Sequence, residues 1–206
     1  MTDMIVHQME LGVLRNFTYV LGDGRGGSGA VIDPSGDFER ITAILDEEQL
    51  ALRLVINTHS HLDHTAGNSF FRERGAKLAA SALASTRPDI GVRDGDTVML
   101  GEVALKILST PGHCADAICI IAGDYLFTGD TLFIGDCGRT DLAGANVAAM
   151  HYSLLTVLRG LPDHLRVMPG HNYGPAPSRT LGEEKRLNFT LTPRSLEEFV
   201  AFMAAP

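Results

Sequence analysis

Apolar residues in the first third of this chain fall into short blocks that predict strands and a helix. The apolar segments 16–21 and 30–33 flank the glycine-rich stretch 22–29, so we predict that the chain starts with antiparallel strands joined by a turn. From Asp37 onward, apolar positions recur at helical spacing, and a strand pattern at 52–57 follows. This strand leads directly into a cluster of histidines.

The rest of the chain repeats the alternation of strands and helices. Strand patterns lie at 98–100, 104–108, 118–122, 126–129 and 167–168. A helical pattern covers 146–158, and terminal helices are predicted from about 183 to 206, with apolar spacing strongest over 183–187 and 195–203. The pattern predicts a layered α/β or αββα domain. Since no linker interrupts it, we expect residues 1–206 to form a single domain.

Composition excludes several kinds of partner. The chain has 206 residues, 45% hydrophobic and 20% charged, with a formal net charge of −8, which argues against a nucleic-acid or anionic-membrane surface. The N-terminus carries no basic segment followed by an apolar stretch, so we predict a cytoplasmic protein. The chain has three cysteines, Cys114, Cys119 and Cys137. Because an odd number gives little support for a disulfide framework, we predict that they are reduced.

Metal-ligand residues cluster directly after the strand predicted at 52–57. His59, His61, Asp63 and His64 stand within six positions of one another. In an extended or tightly looped backbone, His59 and His61 point to one side while Asp63 and His64 diverge, so one loop could serve two adjacent ions.

Three more residues of ligand type follow predicted strands, each beside a glycine that allows a sharp turn: His113, Asp130 and His171. Imidazole and carboxylate ligands together suit Zn²⁺, Fe²⁺ or Mn²⁺. The sequence therefore predicts a metal centre. The other histidines are predicted to be structural or solvent-exposed: His7, His151 and His164. Cys114, beside His113, is predicted to be a small packing residue rather than a nucleophile, and Cys119 a core residue.

The motif His59-Ser60-His61-Leu62-Asp63-His64, followed at these spacings by His113, Asp130 and His171, resembles the metallo-β-lactamase superfamily. The resemblance implies an αββα sandwich with the metals at one edge. It also implies two ligand sets with a bridge between them: His59, His61 and His113 for the first ion, Asp63, His64 and His171 for the second, and Asp130 as the bridge. The best-known β-lactamases have cysteine in place of Asp130, which argues against antibiotic hydrolysis.

One branch that the chain resembles is glyoxalase II, which hydrolyses S-D-lactoylglutathione. The similar segments are 129–133, Cys137-Gly138-Arg139 and 170–173. This resemblance implies two divalent ions, with Zn²⁺ preferred, and hydrolysis of a small thioester on a glutathione-like carrier. A metal-bound hydroxide would be the nucleophile, with Asp63 as the catalytic group that orients the water or accepts its proton.

The same resemblance makes Arg139 and Tyr173 candidates for substrate contact. The alternative is structural: an ion pair of Arg139 with Asp136 or Asp141, and a Tyr173 that packs on the core. The sequence also ends soon after Met203, whereas glyoxalase II carries a larger helical C-terminal domain.

A second branch that the chain resembles is the persulfide dioxygenases, through residues 137–141 and through 183–186 with Asn188. That resemblance implies one Fe²⁺ held by His59, His113 and Asp130, a ligand set that suits O₂ chemistry, and oxidation of glutathione persulfide to sulfite. Leu62, the segment 65–68 and Gly170-His171-Asn172 depart from that branch toward the hydrolases. We predict a thioester hydrolase, with the dioxygenase and a non-catalytic sensor as alternatives.

Overall fold

The computed structural model describes residues 4–204. Residues 1–3, part of the N-terminal segment without a predicted targeting signal, lie outside the described residues. So do residues 205–206, where the predicted terminal helical region ends.

The first half of the chain builds a six-stranded sheet whose strands lie in chain order. Its strands are β1 (Ile5–Leu11), β2 (Asn16–Gly22), β3 (Ser28–Ile32), β4 (Ala51–Ile56), β5 (Lys77–Ser81) and β6 (Ile90–Val92). The pairs β1–β2 and β2–β3 are antiparallel, and the later pairs are parallel. The helices on this half are α1 (Phe38–Glu47), α2 (Leu62–Thr65) and α3 (Asn68–Arg72). Because β3 to β6 are parallel, their carboxyl ends meet at one edge.

The second half builds another six-stranded sheet. Its strands are β7 (Thr97–Leu100), β8 (Val103–Ser109), β9 (Ile118–Ala122), β10 (Tyr125–Gly129), β11 (Arg166–Pro169) and β12 (Arg179–Thr180). Only the β10–β11 pair is parallel among the pairs of this sheet in the described residues. Its helices are α4 (Val147–Tyr152), which continues as a π-helical turn (Ser153–Leu158), α5 (Leu181–Leu187) and α6 (Leu196–Met203), with a 3-10 turn (Phe189–Leu191) between the last two.

The core is layered because strands such as β2 are buried on both faces. Phe17, Tyr19 and Leu21 point into a cluster between the two sheets, whereas Val20 packs with α1 on the outer face of the first sheet. Phe199 of α6 belongs to a third cluster, between the second sheet and its helices. Burial of alternate side chains on opposite faces follows from the period of two residues in a strand. The predicted αββα sandwich is confirmed.

The predicted strands and the longer helices form close to where the apolar pattern placed them. The terminal helices start with capping boxes, in which Thr180 pairs with Glu183 and Ser195 with Glu198. The pattern did not predict β1, β5, β6, β12, α2 or α3. In particular, the ligand run is not extended throughout, because helix α2 begins at Leu62. No helix within residues 4–204 is long and apolar enough to cross a membrane.

Candidate metal centre

All seven predicted ligand residues meet at one edge of the sandwich, where strands from both sheets end. His59 follows β4, while His113, Asp130 and His171 follow β8, β10 and β11. Gly129, which has a φ of 48°, allows the chain to turn immediately before Asp130, and a Cβ there would collide with Thr58. The two sheets therefore bring together residues more than a hundred positions apart.

Three imidazole nitrogens converge in a first set, formed by His59, His61 and His113. His61 Nδ1 lies 3.0 Å from His59 Nε2 and 3.0 Å from His113 Nε2. His59 and His113 are buried. Because a neutral imidazole offers one lone pair, three nitrogens at these distances form a compact donor set for one cation.

A second set consists of Asp63, His64 and His171. His64 Nε2 lies 3.1 Å from His171 Nε2, and Asp63 Oδ2 lies 3.3 Å from the first nitrogen and 3.5 Å from the second. His64 is fully buried. These three atoms lie close enough together to hold one ion.

Asp130 lies between the two sets. Its Oδ2 is 3.5 Å from His113 Nε2 and 3.3 Å from His171 Nε2, while its Oδ1 is 3.5 Å from His64 Nε2. Oδ1 is buried and has no hydrogen-bond partner. A buried carboxylate oxygen without a partner is costly, and a divalent cation would compensate it. The residues present therefore fit a metal centre.

The protonation states favour cation binding at most of these positions. Burial would raise the pKa of Asp130, but attraction to His64 and a hydrogen bond with His171 hold it well below its usual range. The pKa of Asp63 is also lowered, although burial alone would raise it. A hydrogen bond with His64, attraction to that imidazole and a hydrogen bond from Asn16 cause the shift. Burial and neighbouring imidazoles lower the pKa of His59 and His61. At neutral pH the carboxylates are ionised and these two imidazoles are neutral, as cation ligands must be.

Hydrogen bonds behind the centre fix which ring nitrogen faces inward. His113 Nδ1 donates to Arg139 O at 2.9 Å, and His171 Nδ1 donates to Leu14 O at 2.9 Å. The Nε2 of each ring therefore points inward, toward Asp130 and the other ligand atoms. His61 is reversed, because its Nδ1 faces the centre. Such partners orient ligands and set their tautomers.

Asp33 is a supporting residue that the sequence analysis missed. It is buried, accepts from His64 Nδ1 at 3.0 Å, and accepts from both the backbone nitrogen and the hydroxyl of Thr58 at 2.8 and 2.6 Å. Thr58 Oγ1 lies 3.1 Å from His59 Nδ1, so Asp33 supports ligands of both sets. Asp33 directly follows β3, which pairs in parallel with β4, so the rule that site residues follow strands could have predicted it.

A family model described as the metallo-beta-lactamase superfamily matches residues 11–82 and 80–171. The chain belongs to the metallo-beta-lactamase superfamily. The resemblance drawn from the motif is thereby confirmed, and the ligand-type residues described above lie within the matched ranges.

Relatives within the superfamily carry two kinds of name. Human mitochondrial persulfide dioxygenase ETHE1 is 33% identical over 97% of this chain and 80% of its own length. A hydroxyacylglutathione hydrolase of a Polaromonas species is 36% identical over 91% of this chain and 71% of its own length. The crystal structure of ETHE1 from Myxococcus xanthus superimposes with a TM-score of 0.92 and 35% identity, covering 98% of this chain and 92% of that one.

A pocket of about 480 Å³ lies over the candidate centre. Members of both ligand sets line its floor together with Asp130, namely His61, His113, Asp63 and His171. Apolar walls come from Leu14, Phe133, Leu142 and Tyr173. Tyr173 is half exposed, and its ring stacks on His171 with centroids 4.6 Å apart. Burial and the charge of Asp130 raise the pKa of the Tyr173 phenol, so it stays a neutral hydrogen-bond donor.

Arg139 also lines the pocket, but its guanidinium is paired. Its Nε and Nη2 donate to the two carboxylate oxygens of Asp141, both at 2.6 Å. This is one of the two ion pairs considered from the sequence as the alternative to substrate contact. Arg139 and Asp141 are both exposed, so a substrate carboxylate could exchange with Asp141 at the mouth of the pocket.

Cys119 and the remaining histidines match their expectations. All three cysteines are free, and Cys119 is buried in the core. Burial raises the pKa of the Cys114 thiol to about 12. Cys114 Sγ lies 3.3 Å from His61 Nε2 and close enough to the first set to share an ion with it, so its packing role stays a prediction. His7 contacts Glu48, His151 donates to a backbone oxygen, and His164 is exposed near Asp124.

Proposed function

We propose that the protein is a metal-dependent hydrolase of a small thioester carried on a glutathione-like thiol. The observation that carries the proposal is the pair of complete ligand sets around Asp130. The first set would be His59, His61 and His113, and the second Asp63, His64 and His171, with Asp130 shared. Two adjacent cations would suit displacement at a carbonyl. The persulfide dioxygenases that the chain resembles keep all seven residues yet use one Fe²⁺, so metal occupancy and activity must separate the two reactions.

Two divalent ions, Zn²⁺ by preference, would polarise the thioester carbonyl and bring the pKa of a bound water toward neutrality. Asp63 supplies the protein's part of the proton transfer. Its carboxylate is ionised, partly exposed at the pocket floor and held by Asn16, so it can orient the attacking water and accept its proton. The hydrolysis needs no serine or cysteine nucleophile.

The pocket walls would bind the rest of the substrate. Leu14, Phe133 and Leu142 would cover its apolar part and exclude water from the reaction. Tyr173 would donate a hydrogen bond through its neutral phenol, and Arg139 would pair with a carboxylate of the carrier. Because Arg139 offers a positive charge at the pocket mouth, a thiol carrier with carboxylates fits the pocket better than a neutral carrier. The relatives named for glutathione derivatives support the same class of substrate.

The hydrolase is tested with zinc-loaded protein and S-D-lactoylglutathione, following free thiol with a thiol-specific reagent. We expect turnover at least about tenfold above that of His113→Ala, since loss of even a residue hydrogen-bonded behind a ligand typically costs about 10- to 100-fold in metal affinity or activity. Thiol release no faster than with His113→Ala, in wild-type protein shown to contain zinc, would overturn the proposal for this substrate. A panel of other acylated thiols would then decide whether the reaction class fails as well.

A second candidate is persulfide dioxygenase activity, favoured by similarity over nine-tenths or more of the chain to proteins named ETHE1. His59, His113 and Asp130 would then hold one Fe²⁺. Its test is oxygen uptake by Fe²⁺-loaded protein given glutathione persulfide, with His113→Ala as the blank for uncatalysed oxidation. Uptake well above the blank, together with sulfite, would replace the hydrolase as the principal reaction.

A further inference from the structure

Asn16, the first residue of β2, lies directly behind the second ligand set. It is 1% exposed, and its Nδ2 donates to Asp63 Oδ2 at 2.8 Å and to the Asp63 backbone oxygen at 3.3 Å. This Oδ2 is the atom that faces His64 Nε2 and His171 Nε2. The amide therefore fixes the rotation of the Asp63 carboxylate toward the two imidazoles.

The turn that joins β1 and β2 supports the third member of the same set. Leu14 O accepts from His171 Nδ1 at 2.9 Å, and Arg15 O accepts from the backbone nitrogen of Asn172 at 2.9 Å. Phe17, which follows Asn16, donates its backbone hydrogen to Gly170 O at 2.7 Å. One short segment thus holds both Asp63 and His171, although these residues lie far apart in sequence.

The first set is held by other parts of the fold. His59 Nδ1 is bonded to Thr58 Oγ1, and His113 Nδ1 donates to Arg139 O. None of these contacts involves residues 12–16. A change at Asn16 therefore acts on the second set and leaves the first in place.

We infer that Asn16 positions Asp63 for the second ion and so determines whether the centre holds one ion or two. The inference rests on the proposed two-ion site. Without the amide donor, Asp63 loses the bond that fixes its orientation, and its negative charge loses a partner close to the carboxylate of Asp130. Hydrogen-bonding partners of metal ligands typically change metal affinity by about 10- to 100-fold.

The test is a zinc titration of metal-free wild-type, Asn16→Leu and Asn16→Ala proteins against a chromophoric chelator. Leucine keeps the branched shape of asparagine without a donor, and alanine provides a second variant should leucine disturb folding. We expect two zinc ions per wild-type chain. In both variants the first dissociation constant should stay within about threefold, and the second should rise about 10- to 100-fold.

Ser81→Ala is the control. Ser81 is buried at the end of β5, where its Oγ accepts from the Leu83 backbone nitrogen, and its side chain forms no hydrogen bond with the seven ligand residues. Both zinc affinities should be unchanged in this variant, and thermal unfolding checks that each variant is folded. If loss of the Ser81 hydroxyl weakened the second ion as much as loss of Asn16, the effect would be general destabilisation and the inference would fail.

The outcomes separate the inference from the proposed function. Unchanged second-site affinity in folded Asn16→Leu and Asn16→Ala would overturn the role of Asn16 alone. A wild-type protein that binds only one ion would overturn the two-ion site and this inference with it. Two ions in wild-type protein without thiol release from any thioester would refute the hydrolase and leave the role of Asn16 intact, because zinc binding is read directly.

Discussion

His64 is the residue at which metal binding and protonation compete most directly. Burial alone would lower its pKa, but Asp130 and Asp33 raise it well above the usual value. In the metal-free protein, His64 is therefore protonated at neutral pH. An ion entering the second set must displace that proton.

We therefore predict that binding of the second zinc ion releases about one proton at neutral pH, and that its affinity rises with pH up to the raised pKa of His64. The sign follows from the direction of the shift, because a raised pKa keeps the ligand protonated over a wider range. Calorimetric titration in two buffers of different ionisation enthalpy measures the release. Identical heats for the second ion in both buffers would contradict the prediction.

A second prediction concerns Asp63, proposed both as a ligand and as the group that accepts the water proton. Asp63→Asn keeps the shape but cannot accept a proton, so hydrolysis should fall by about 10²- to 10⁴-fold. The rate is compared at zinc concentrations that saturate both sites, with metal content measured on the same sample. A fully loaded variant with a rate close to wild type would remove Asp63 from the catalytic role.

The sequence could predict the seven ligand-type residues because each follows an apolar strand or lies in one dense run. It could not predict Asn16 or Asp33 as supporting residues. Asn16 contacts Asp63 across 47 positions, and Asp33 contacts His64 across 31. Those contacts depend on which strands are neighbours at the edge, which local patterns do not reveal.

Among the secondary-structure elements, α5 and the residue that follows it hold one wall of the pocket. Glu184, fully buried, accepts from the Gly135 backbone nitrogen at 2.8 Å, from Arg179 at 3.0 Å and from Asn188 at 2.9 Å. Asn188 donates in turn to backbone oxygens on either side of Gly135. The turn 133–136, which leads to Arg139, is thus fixed by buried side chains of the C-terminal region.

We predict that Glu184→Gln raises KM several-fold, since it weakens the support of this turn while leaving the metal ligands in place. Glu183→Gln is the matched control on the same helix, because Glu183 caps α5 through Thr180 and does not touch the turn. Because glutamine also completes a capping box at this position, that control should leave both stability and KM close to their wild-type values. Equal KM values for Glu184→Gln and Glu183→Gln would show that α5 does not shape the pocket.

Helix α6 gives a stability prediction of the same kind. Phe199 is fully buried against the second sheet, whereas Phe202 on the same helix is 36% exposed. Phe199→Ala should lower the free energy of unfolding by about 3–5 kcal/mol. Phe202→Ala should cost clearly less, and urea unfolding of both variants measures the difference. Similar losses would mean that α6 does not cover the core as described.

The elements that sequence patterns missed share a physical reason. Strand β5 reads Lys77-Leu78-Ala79-Ala80-Ser81, with small residues of low strand propensity, and it is a strand because parallel neighbours on both sides complete its hydrogen bonds. Helices α2 and α3 have four and five residues, too short to display a period. These strands and helices form because of their neighbours in the fold rather than because of their local sequence.

In the molecule as a whole, function depends on how the two sheets meet. Each half of the chain contributes one sheet, and ligand-type residues lie at the ends of strands in both, so the centre forms only when the halves pack together. The layered α/β class followed from the order of strands and helices, and the αββα sandwich from the resemblance of the ligand motif to the superfamily, whereas neither predicted the strand order within each sheet. That residues 1–206 form one domain stays a prediction.

The central claim is that this edge of the sandwich holds two ions, with Asp130 between them. Anomalous diffraction from crystals of zinc-loaded protein, collected at the zinc absorption edge, tests it most directly. We predict two peaks, one about 2.0–2.2 Å from the inward nitrogens of His59, His61 and His113, the other at similar distances from Asp63, His64 and His171. A single peak against His59, His113 and Asp130 at saturating zinc would contradict the two-ion account.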